Sequence, residues 1–529
     1  MLSIQNITYL HPNKELLFKD LSFSLQSHQK VAIVGNNGSG KSTLLKLLSG
    51  KLYPSKGQIL TNYKPYYVPQ HFGQYDNFTL SQALLIDKKL DAIRMIESGN
   101  DVEQNLSILN EDWDIEERCQ KAMAFWGLEG FDLNQEMNSL SGGEKTKVFL
   151  AGLLIHDPEI ILMDEPTNHL DLDAREKLYS FFNSNHKCIV IVSHDRTLLE
   201  MMDPIYELNE KGLVLYGGNY SFYKEQKDIQ TKALYNQLHN KKVSLKSAKK
   251  KKIESVERKN KLDARGKKKS IKEGIPKMLR KSMKNNAEKS SGKLKDDHDN
   301  KIDNIKQEFR QVKNALPILH KIKIDFDESH LHKGKVLAKA ENVNFGYDDE
   351  NLWSEPLNLE IYSGERICIK GANGSGKTTL IKLLASQLKP VSGIITCPNI
   401  NYIYIDQDYS LIDNNLSIYQ QAQLYNHQNI PKHEIGIRLN RYLFHNDDWN
   451  KSCEVLSGGE KLRLILCCMM ISNLAPDLFI LDEPTNNLDL ENIEILTKAI
   501  VDYSGTLIVI SHDKYFLDEI GIQREIYLK

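Results

Sequence analysis

Gly35-Asn36-Asn37-Gly38-Ser39-Gly40-Lys41-Ser42-Thr43 follows the apolar run Val31-Ala-Ile-Val34 and opens the helical run Leu44 to Leu48. Glycines at these positions let successive backbone N–H groups converge on phosphate oxygens, and the start of the helix adds a favourable potential. In a strand-to-helix setting the pattern is a phosphate-binding loop, with Lys41 placed for the β and γ phosphates and Ser42 for Mg2+. The same wording recurs as Gly371-Ala372-Asn373-Gly374-Ser375-Gly376-Lys377-Thr378-Thr379, again after a β run, with Lys377 and Thr378 in the matching places. Many nucleotide-binding folds use one such loop, but two in matching context are not coincidence.

Working outward, residues 1–220 and 336–529 are two copies of one plan. Ile160-Ile-Leu-Met-Asp164-Glu165 and Leu478-Phe-Ile-Leu-Asp482-Glu483 are apolar strands that end in paired carboxylates. Asp164 and Asp482 are placed to hold the metal through water, and Glu165 and Glu483 to accept a proton from the attacking water. A strand ending at solvent would explain one Asp-Glu pair. It does not explain why Pro-Thr-Asn and then Leu-Asp follow in both copies, ending at Asp171 and Asp489. Leu140-Ser141-Gly142-Gly143-Glu144 and Leu456-Ser457-Gly458-Gly459-Glu460 each precede an apolar helical stretch. A serine hydroxyl, two glycine amides and a helix dipole there make a second phosphate cradle. Between the motifs, β-rich runs alternate with helical ones, which predicts mostly parallel sheets covered on both faces, an α/β fold.

The copies differ in one insertion. Gln70 to Leu140 spans 70 residues and Gln407 to Leu456 spans 49, so the first copy carries 21 more. The surplus falls in the charged piece Lys88 to Trp113, read as a short helical excursion.

Between the copies, residues 222–335 have little material for a core. Lys241 to Lys295 holds 22 Lys and Arg against 5 Asp and Glu, a local charge of +17 in a chain whose total is −1. That asymmetry points to a polyanionic partner for one segment. Lys224 to Leu262 contains neither Gly nor Pro, and about 39 helical residues would reach roughly 58 Å. Ile302, Ile305, Phe309, Val312 and Leu316 recur at spacings of 3 and 4, the seam of an antiparallel helix pair that Pro317 ends. Residues 263–285 read as the tip, with a turn marked by Arg265-Gly-Lys-Lys-Lys and Gly274-Ile-Pro276, and then a short basic amphipathic segment. Arg265, Lys267, Lys268, Lys269, Lys277, Arg280, Lys281 and Lys284 are its candidate contacts to a polyanion, RNA if the family resemblance stated below holds, and Met278, Leu279 and Met283 could pack against such a partner or form a cap between the arms.

No run approaches the roughly 18 apolar residues that cross a bilayer, and the N-terminal stretch lacks a signal pattern. The seven scattered cysteines include no CxxC pair, which argues against both a disulfide framework and a zinc site. A cytoplasmic protein with reduced thiols is expected.

The order of loop, glutamine, Ser-Gly-Gly, acidic strand and Ser-His-Asp (Ser193-His194-Asp195 and Ser511-His512-Asp513) resembles a tandem ATP-binding cassette protein over both halves, a P-loop NTPase fold. The resemblance implies ATP and Mg2+ as ligands and pairing of the two cassettes within one monomer. ATP would be sandwiched between Lys41 and Ser457, and between Lys377 and Ser141. Gln70 and Gln407 would sense metal and γ phosphate, and His194 and His512 would position γ phosphate and water. Tyr347 would stack on adenine in the second copy, while His11 or Tyr9 could do so in the first. Two cassettes without a membrane domain, a charged helical linker and Pro166-Thr-Asn-His-Leu-Asp171 resemble the ABC-F family in particular. That family implies a ribosome partner, with the linker directed to the P-site tRNA, rRNA and peptidyl transferase centre, and no transmembrane partner. The excursion at 88–113 would be its arm, here short. A long linker with a short arm is similar to members that protect ribosomes from antibiotics. A basic strut alone would equally suit a DNA-directed cassette ATPase, and a cassette alone a transporter subunit.

Overall fold

The computed structural model describes residues 2–99, 102–209, 212–272, 277–316, 334–347, 350–397, 400–472 and 476–528. Two compact units emerge: Met1–Tyr223 together with Ile322–Lys529, and Lys224–Lys321. Both cassettes therefore belong to one unit.

In the first cassette a six-stranded sheet runs in the order Tyr66–Val68, Ile160–Asp164, Cys188–Val192, Lys30–Val34, Ile205–Asn209, Gly212–Tyr216. Its first five strands are parallel and the last pair is antiparallel. The second cassette repeats this with five parallel strands, Tyr402–Ile405, Leu478–Asp482, Thr506–Ile510, Arg366–Lys370 and Arg524–Tyr527. Ile160–Asp164 and Cys188–Val192 are buried at every position, as strands covered on both faces must be, and this is why they read as unbroken apolar runs. A three-stranded antiparallel sheet joins each cassette: Leu16–Leu25, Leu2–Leu10 and Lys56–Thr61 in one, Leu357–Tyr362, Val336–Asn344 and Ser392–Thr396 in the other.

This topology positions the site. Asp164 pairs with Val192 and Val192 with Ile33, so three neighbouring strands deliver the Asp164-Glu165 carboxylates, His194 and the phosphate loop to the same sheet edge. Ligands in open parallel sheets gather at such carboxyl ends. The excursion forms two helices, Asp87–Glu97 and Val102–Leu109.

In the second unit, one helix runs Tyr220–Lys272 and another Lys277–Ala315. The first is longer than its composition suggests. Arg265 to Lys269, read from sequence as part of a turn, lies inside it, because one glycine costs a helix only about 1 kcal/mol against alanine. The expected turn at Gly274-Ile-Pro276 lies outside the described residues, as does Pro317. Lys241 pairs with Glu308 at 2.5 Å, Lys252 with Asp299, and Ser255 Oγ with His298 at 3.2 Å, a falling-and-rising register that makes the helices antiparallel. Ile302 and Leu316 are buried and Ile305, Phe309 and Val312 half-buried, so the sheltered stripe is the one read from the spacing. Met278 is 88% exposed and is therefore not enclosed in a cap between the arms.

Candidate functional site

Each phosphate loop turns on glycine. Gly40 and Gly376 precede their helices with φ of 95° and 85°, a left-handed conformation that side chains resist. Each lysine is held against its own loop. Lys41 Nζ donates to the carbonyls of Gly35 and Asn36 at 2.7 and 3.1 Å, and Lys377 Nζ to those of Gly371 and Ala372 at 2.8 Å each. Ser42 Oγ donates to Asp164 at 3.1 Å, and Thr378 Oγ1 to Asp482 at 2.8 Å. A tyrosine completes each pair, Tyr67 on Asp164 and Tyr404 on Asp482, at 3.3 and 3.1 Å. Both tyrosines stand three residues before the paired glutamines, a repeat signal that could have identified them.

The neighbouring glutamates occupy unusual backbone. Glu165 and Glu483 have φ of 50° and 48°, a region that costs a non-glycine residue roughly 1–3 kcal/mol and clusters at functional sites. Burial pushes Glu165 up to about 8, partly offset by the Lys41 cation, and Glu483 up to about 7. His194 Nε2 lies 3.4 Å from Glu165 and His512 Nε2 lies 3.3 Å from Glu483. Burial drives His194 far below its ordinary value and His512 to about 4, so these contacts join a neutral imidazole to a carboxyl and are not ion pairs. Ser39 Oγ, Ser375 Oγ, Glu165 Oε1, both His194 ring nitrogens and both Glu483 oxygens are buried without a hydrogen-bond partner. Such orphaned groups are costly unless a polar ligand completes them.

Both Ser-Gly-Gly segments are capping boxes. Ser141 Oγ accepts from Glu144 N–H at 3.4 Å while Ser141 N–H donates to the Glu144 carboxylate at 2.7 Å. Ser457 and Glu460 repeat this at 3.4 and 2.9 Å. The Ser-x-x-Glu spacing is thus what starts each helix.

The two cassettes meet at these elements. A cavity of about 570 Å3 is lined by Lys41, Ser42, Thr43, Gln70, Asp164 and Glu165 of the first cassette and by Ser457 and Asn487 of the second. Asn37 N–H donates to Asp489 at 2.9 Å, and Asn37 Nδ2 to the Asn487 carbonyl at 3.1 Å. In the opposite sense, Asn373 Nδ2 donates to the His169 carbonyl at 3.2 Å, and a Cβ on Gly143 would stand 3.5 Å from the same Asn373 atom. His169 and Asn487, equivalent in the two repeats, both adopt left-handed backbone with φ of 64° and 61°.

The candidates do not all converge. His11 lines the Lys41 cavity, whereas Tyr9 packs on Phe18 at 6.1 Å beside the core. Gln407 is exposed while Gln70 is half-buried. Tyr347 belongs to a short strand, Gly346–Tyr347, and its side chain lies outside the described residues. Arg265 and Lys268 are exposed; the side chains of Lys267, Lys269, Lys277, Arg280, Lys281 and Lys284 lie outside the described residues. Asp489, Asn487 and the strand tyrosines were not singled out from sequence.

Residues 18–168 and 354–486 match the family model described as ABC transporter. The chain belongs to that family of ATP-binding cassette proteins, and with two cassettes it is a P-loop ATPase that binds and hydrolyses ATP. Relatives matched along most of this chain include proteins of the ABC transporter F family. Putative ATP-binding protein YdiF of Bacillus subtilis is 29% identical over 96% of this chain and 77% of its own length. ABC transporter F family member 5 of Arabidopsis thaliana is 29% identical over 95% of this chain and 72% of its own. Among solved structures, the archaeal ribosome recycling factor aABCE1, in complex with the stalk protein aP1, covers 99% of this chain and 87% of its own at a TM-score of 0.61 and 19% identity. Among the described residues no helix is long and apolar enough to cross a membrane.

Proposed function

We propose that this chain is a cytoplasmic, monomeric ribosome-binding factor that uses ATP to set the posture of its basic helical pair against rRNA and P-site tRNA, near the peptidyl transferase centre. Its role is that of a translation factor or of a ribosome protection protein in antibiotic resistance. The observation that carries the reading is a +17 segment built largely as one antiparallel helix pair and inserted in sequence between two cassettes, with Ser457 of the second lining the same cavity as Lys41 of the first. Lys and Arg along such a rod contact phosphate with little sequence reading, and binding should weaken steeply with salt. The relatives of ABC-F type, and a fold neighbour that is itself ribosome-bound, archaeal ABCE1, point the same way.

In this reading ATP binds between Lys41 and Ser457 and between Lys377 and Ser141, cradled by residues 35–43 and 371–379 and by Gly142, Gly143, Gly458 and Gly459. His11 and Tyr347 are the candidates to stack on adenine. The donor set fits Mg2+: Ser42, Gln70 and Asp164 in one site, Thr378, Gln407 and Asp482 in the other. Among the described residues no group of three His, Cys, Asp or Glu could hold a metal alone, so phosphate oxygens and water would supply the remaining ligands. Mg2+ would neutralise charge building on the phosphates. Glu165 and Glu483 accept the proton of the attacking water, and His194 and His512 orient the γ phosphate. Binding closes the cassettes; hydrolysis opens them and releases the ribosome.

The double variant Glu165→Gln/Glu483→Gln should cosediment with ribosomes more strongly in ATP than the parent, with retention falling as salt rises. No gain in ATP, or equal retention on duplex DNA at matched salt, would sink the reading. Replacing residues 266–284 should abolish drug protection while ATPase activity persists if the tip carries the specificity.

A further inference from the structure

The two nucleotide sites are enclosed to different degrees. Lys41 is 7% exposed and Ser42 half-buried, whereas Lys377 is half-buried and Thr378 exposed. The hydrogen bonds that cross the cassette interface from each phosphate loop differ in the same direction. From the first loop, Asn36 Nδ2 donates to Glu491 Oε2 of the second cassette at 3.2 Å, Asn37 N–H to Asp489 at 2.9 Å and Asn37 Nδ2 to the Asn487 carbonyl at 3.1 Å. From the second loop, among the described residues, Asn373 Nδ2 donates to the His169 carbonyl at 3.2 Å.

Part of this difference is fixed by residue identity. Counted along the repeats, Asn36 corresponds to Ala372 and Glu491 to Asp173. Alanine has no side-chain donor, and the aspartate is one methylene shorter and exposed where Glu491 is half-buried. The Asn36–Glu491 bond therefore has no chemical equivalent at the second site. Glu491 stands in the first turn of the helix Leu490–Asp502 that Asp489 caps, so Asn36 and Asn37 tie the first loop to one and the same helix start. An amide donating to a carboxylate makes a stronger bond than a neutral pair, and this one must break before the loop and the opposite cassette can part.

We infer that the two sites exchange nucleotide unequally: nucleotide held between Lys41 and Ser457 leaves more slowly than nucleotide held between Lys377 and Ser141, and Asn36 with Glu491 forms the latch that slows it. This rests on the proposed pairing of each phosphate loop with the opposite serine and is independent of the ribosome.

The full-length Glu165→Gln/Glu483→Gln chain is loaded with a fluorescent ATP analogue and Mg2+, then chased with excess unlabelled ATP without ribosomes. Release should run in two phases of equal amplitude, and Lys41→Ala should remove the slower one. Glu491→Ala should quicken the slow phase about fivefold, the scale of one hydrogen bond to a carboxylate at a half-exposed site, and leave the fast phase within about twofold. Glu491→Gln keeps a neutral acceptor and should fall between Glu491→Ala and the parent. Ala372→Asn with Asp173→Glu should slow the fast phase by a similar factor. A general loosening of the fold would move both phases together, so the confinement of each effect to one phase separates the latch from a loss of stability. A single phase, a slow phase that survives Lys41→Ala but not Lys377→Ala, or a Glu491→Ala chain that quickens both phases alike or neither overturns the inference. A chain that retains no labelled ATP, or whose release is untouched by Lys41→Ala and by Lys377→Ala, would instead sink the site assignment beneath it.

Discussion

The backbone N–H of Asn37, in the phosphate loop of the first cassette, donates to Oδ2 of Asp489 in the second at 2.9 Å. The same carboxylate starts the helix Leu490–Asp502, accepting from Asn492 N–H at 2.9 Å. One side chain thus ties the start of a local helix to the state of the opposite nucleotide loop.

These two duties separate by substitution. Asp489→Ala removes the cap, for about 1 kcal/mol of stability, and also a charge-assisted bond across the interface, worth about tenfold in kcat. Asp489→Asn keeps an oxygen for the cap, so its unfolding midpoint should stay near that of the parent while its ATPase falls between the two. Thermal unfolding with steady-state ATPase reads both; full activity in Asp489→Ala would show that the interface contact is idle.

The buried glutamates predict a pH dependence of stability. Burial raises Glu165 to about 8 and Glu483 to about 7, against about 4.3 for an unfolded glutamate. The folded state therefore holds protons that the unfolded chain has lost, and their contribution to stability falls as pH rises from about 4.5 toward 8. Glutamine cannot ionise. In EDTA without nucleotide, Glu165→Gln should melt above the parent at pH 8.5, with the difference shrinking toward pH 5. A difference that is flat with pH would rule out a buried ionisation as its source.

Much of this was legible because local chemistry carries it. The phosphate loops need glycine at fixed offsets, the Ser-x-x-Glu boxes start helices by their own side chains, and buried parallel strands must be apolar throughout. The linker seam was legible for the same reason, its 3-and-4 spacing being a property of one helix. What stayed hidden joins residues far apart in the chain: Asn37 to Asp489 and Asn373 to His169. No spacing within a motif encodes such a pair. The turn misread at Arg265–Lys269 is the opposite failure, a local signal overridden, since one glycine among helix-forming lysines costs only about 1 kcal/mol and does not by itself end a helix.

Gly143 offers a test of close approach. A Cβ there would stand 2.7 Å from the backbone carbonyl of His169, whereas one on Gly142 would meet only the His169 ring at 3.3 Å. Alanine favours the helix by up to about 1 kcal/mol at either position, so neither variant should lose much global stability. Gly143→Ala must push the helix Gly142–His156 from the segment that Asn373 touches, and its ATPase should fall about tenfold or more, while Gly142→Ala should lose less than about threefold. The reverse order would place the constraint on the wrong glycine.

The helix pair can be loosened without touching either nucleotide site. Ile302 is 6% exposed on the return helix, in an apolar stripe with Ile305, Phe309, Val312 and Leu316 that is flanked by polar pairs such as Lys241 with Glu308 and Lys252 with Asp299. Surface pairs of that kind contribute at most about 1 kcal/mol each, so the apolar positions set the strength of the pairing. Ile302→Asp removes a buried aliphatic side chain and places a carboxylate in the seam, a loss on the order of 3 kcal/mol. Circular dichroism should show reduced helicity and hydrogen exchange should accelerate over 224–272 and 295–315, while basal ATPase stays within about twofold. Lys301→Asp, on the exposed neighbour, should change helicity little, within about 0.5 kcal/mol. If Ile302→Asp leaves exchange in the Tyr220–Lys272 helix unchanged, the two helices do not depend on each other, and nucleotide-driven positioning would have to act through the first helix alone.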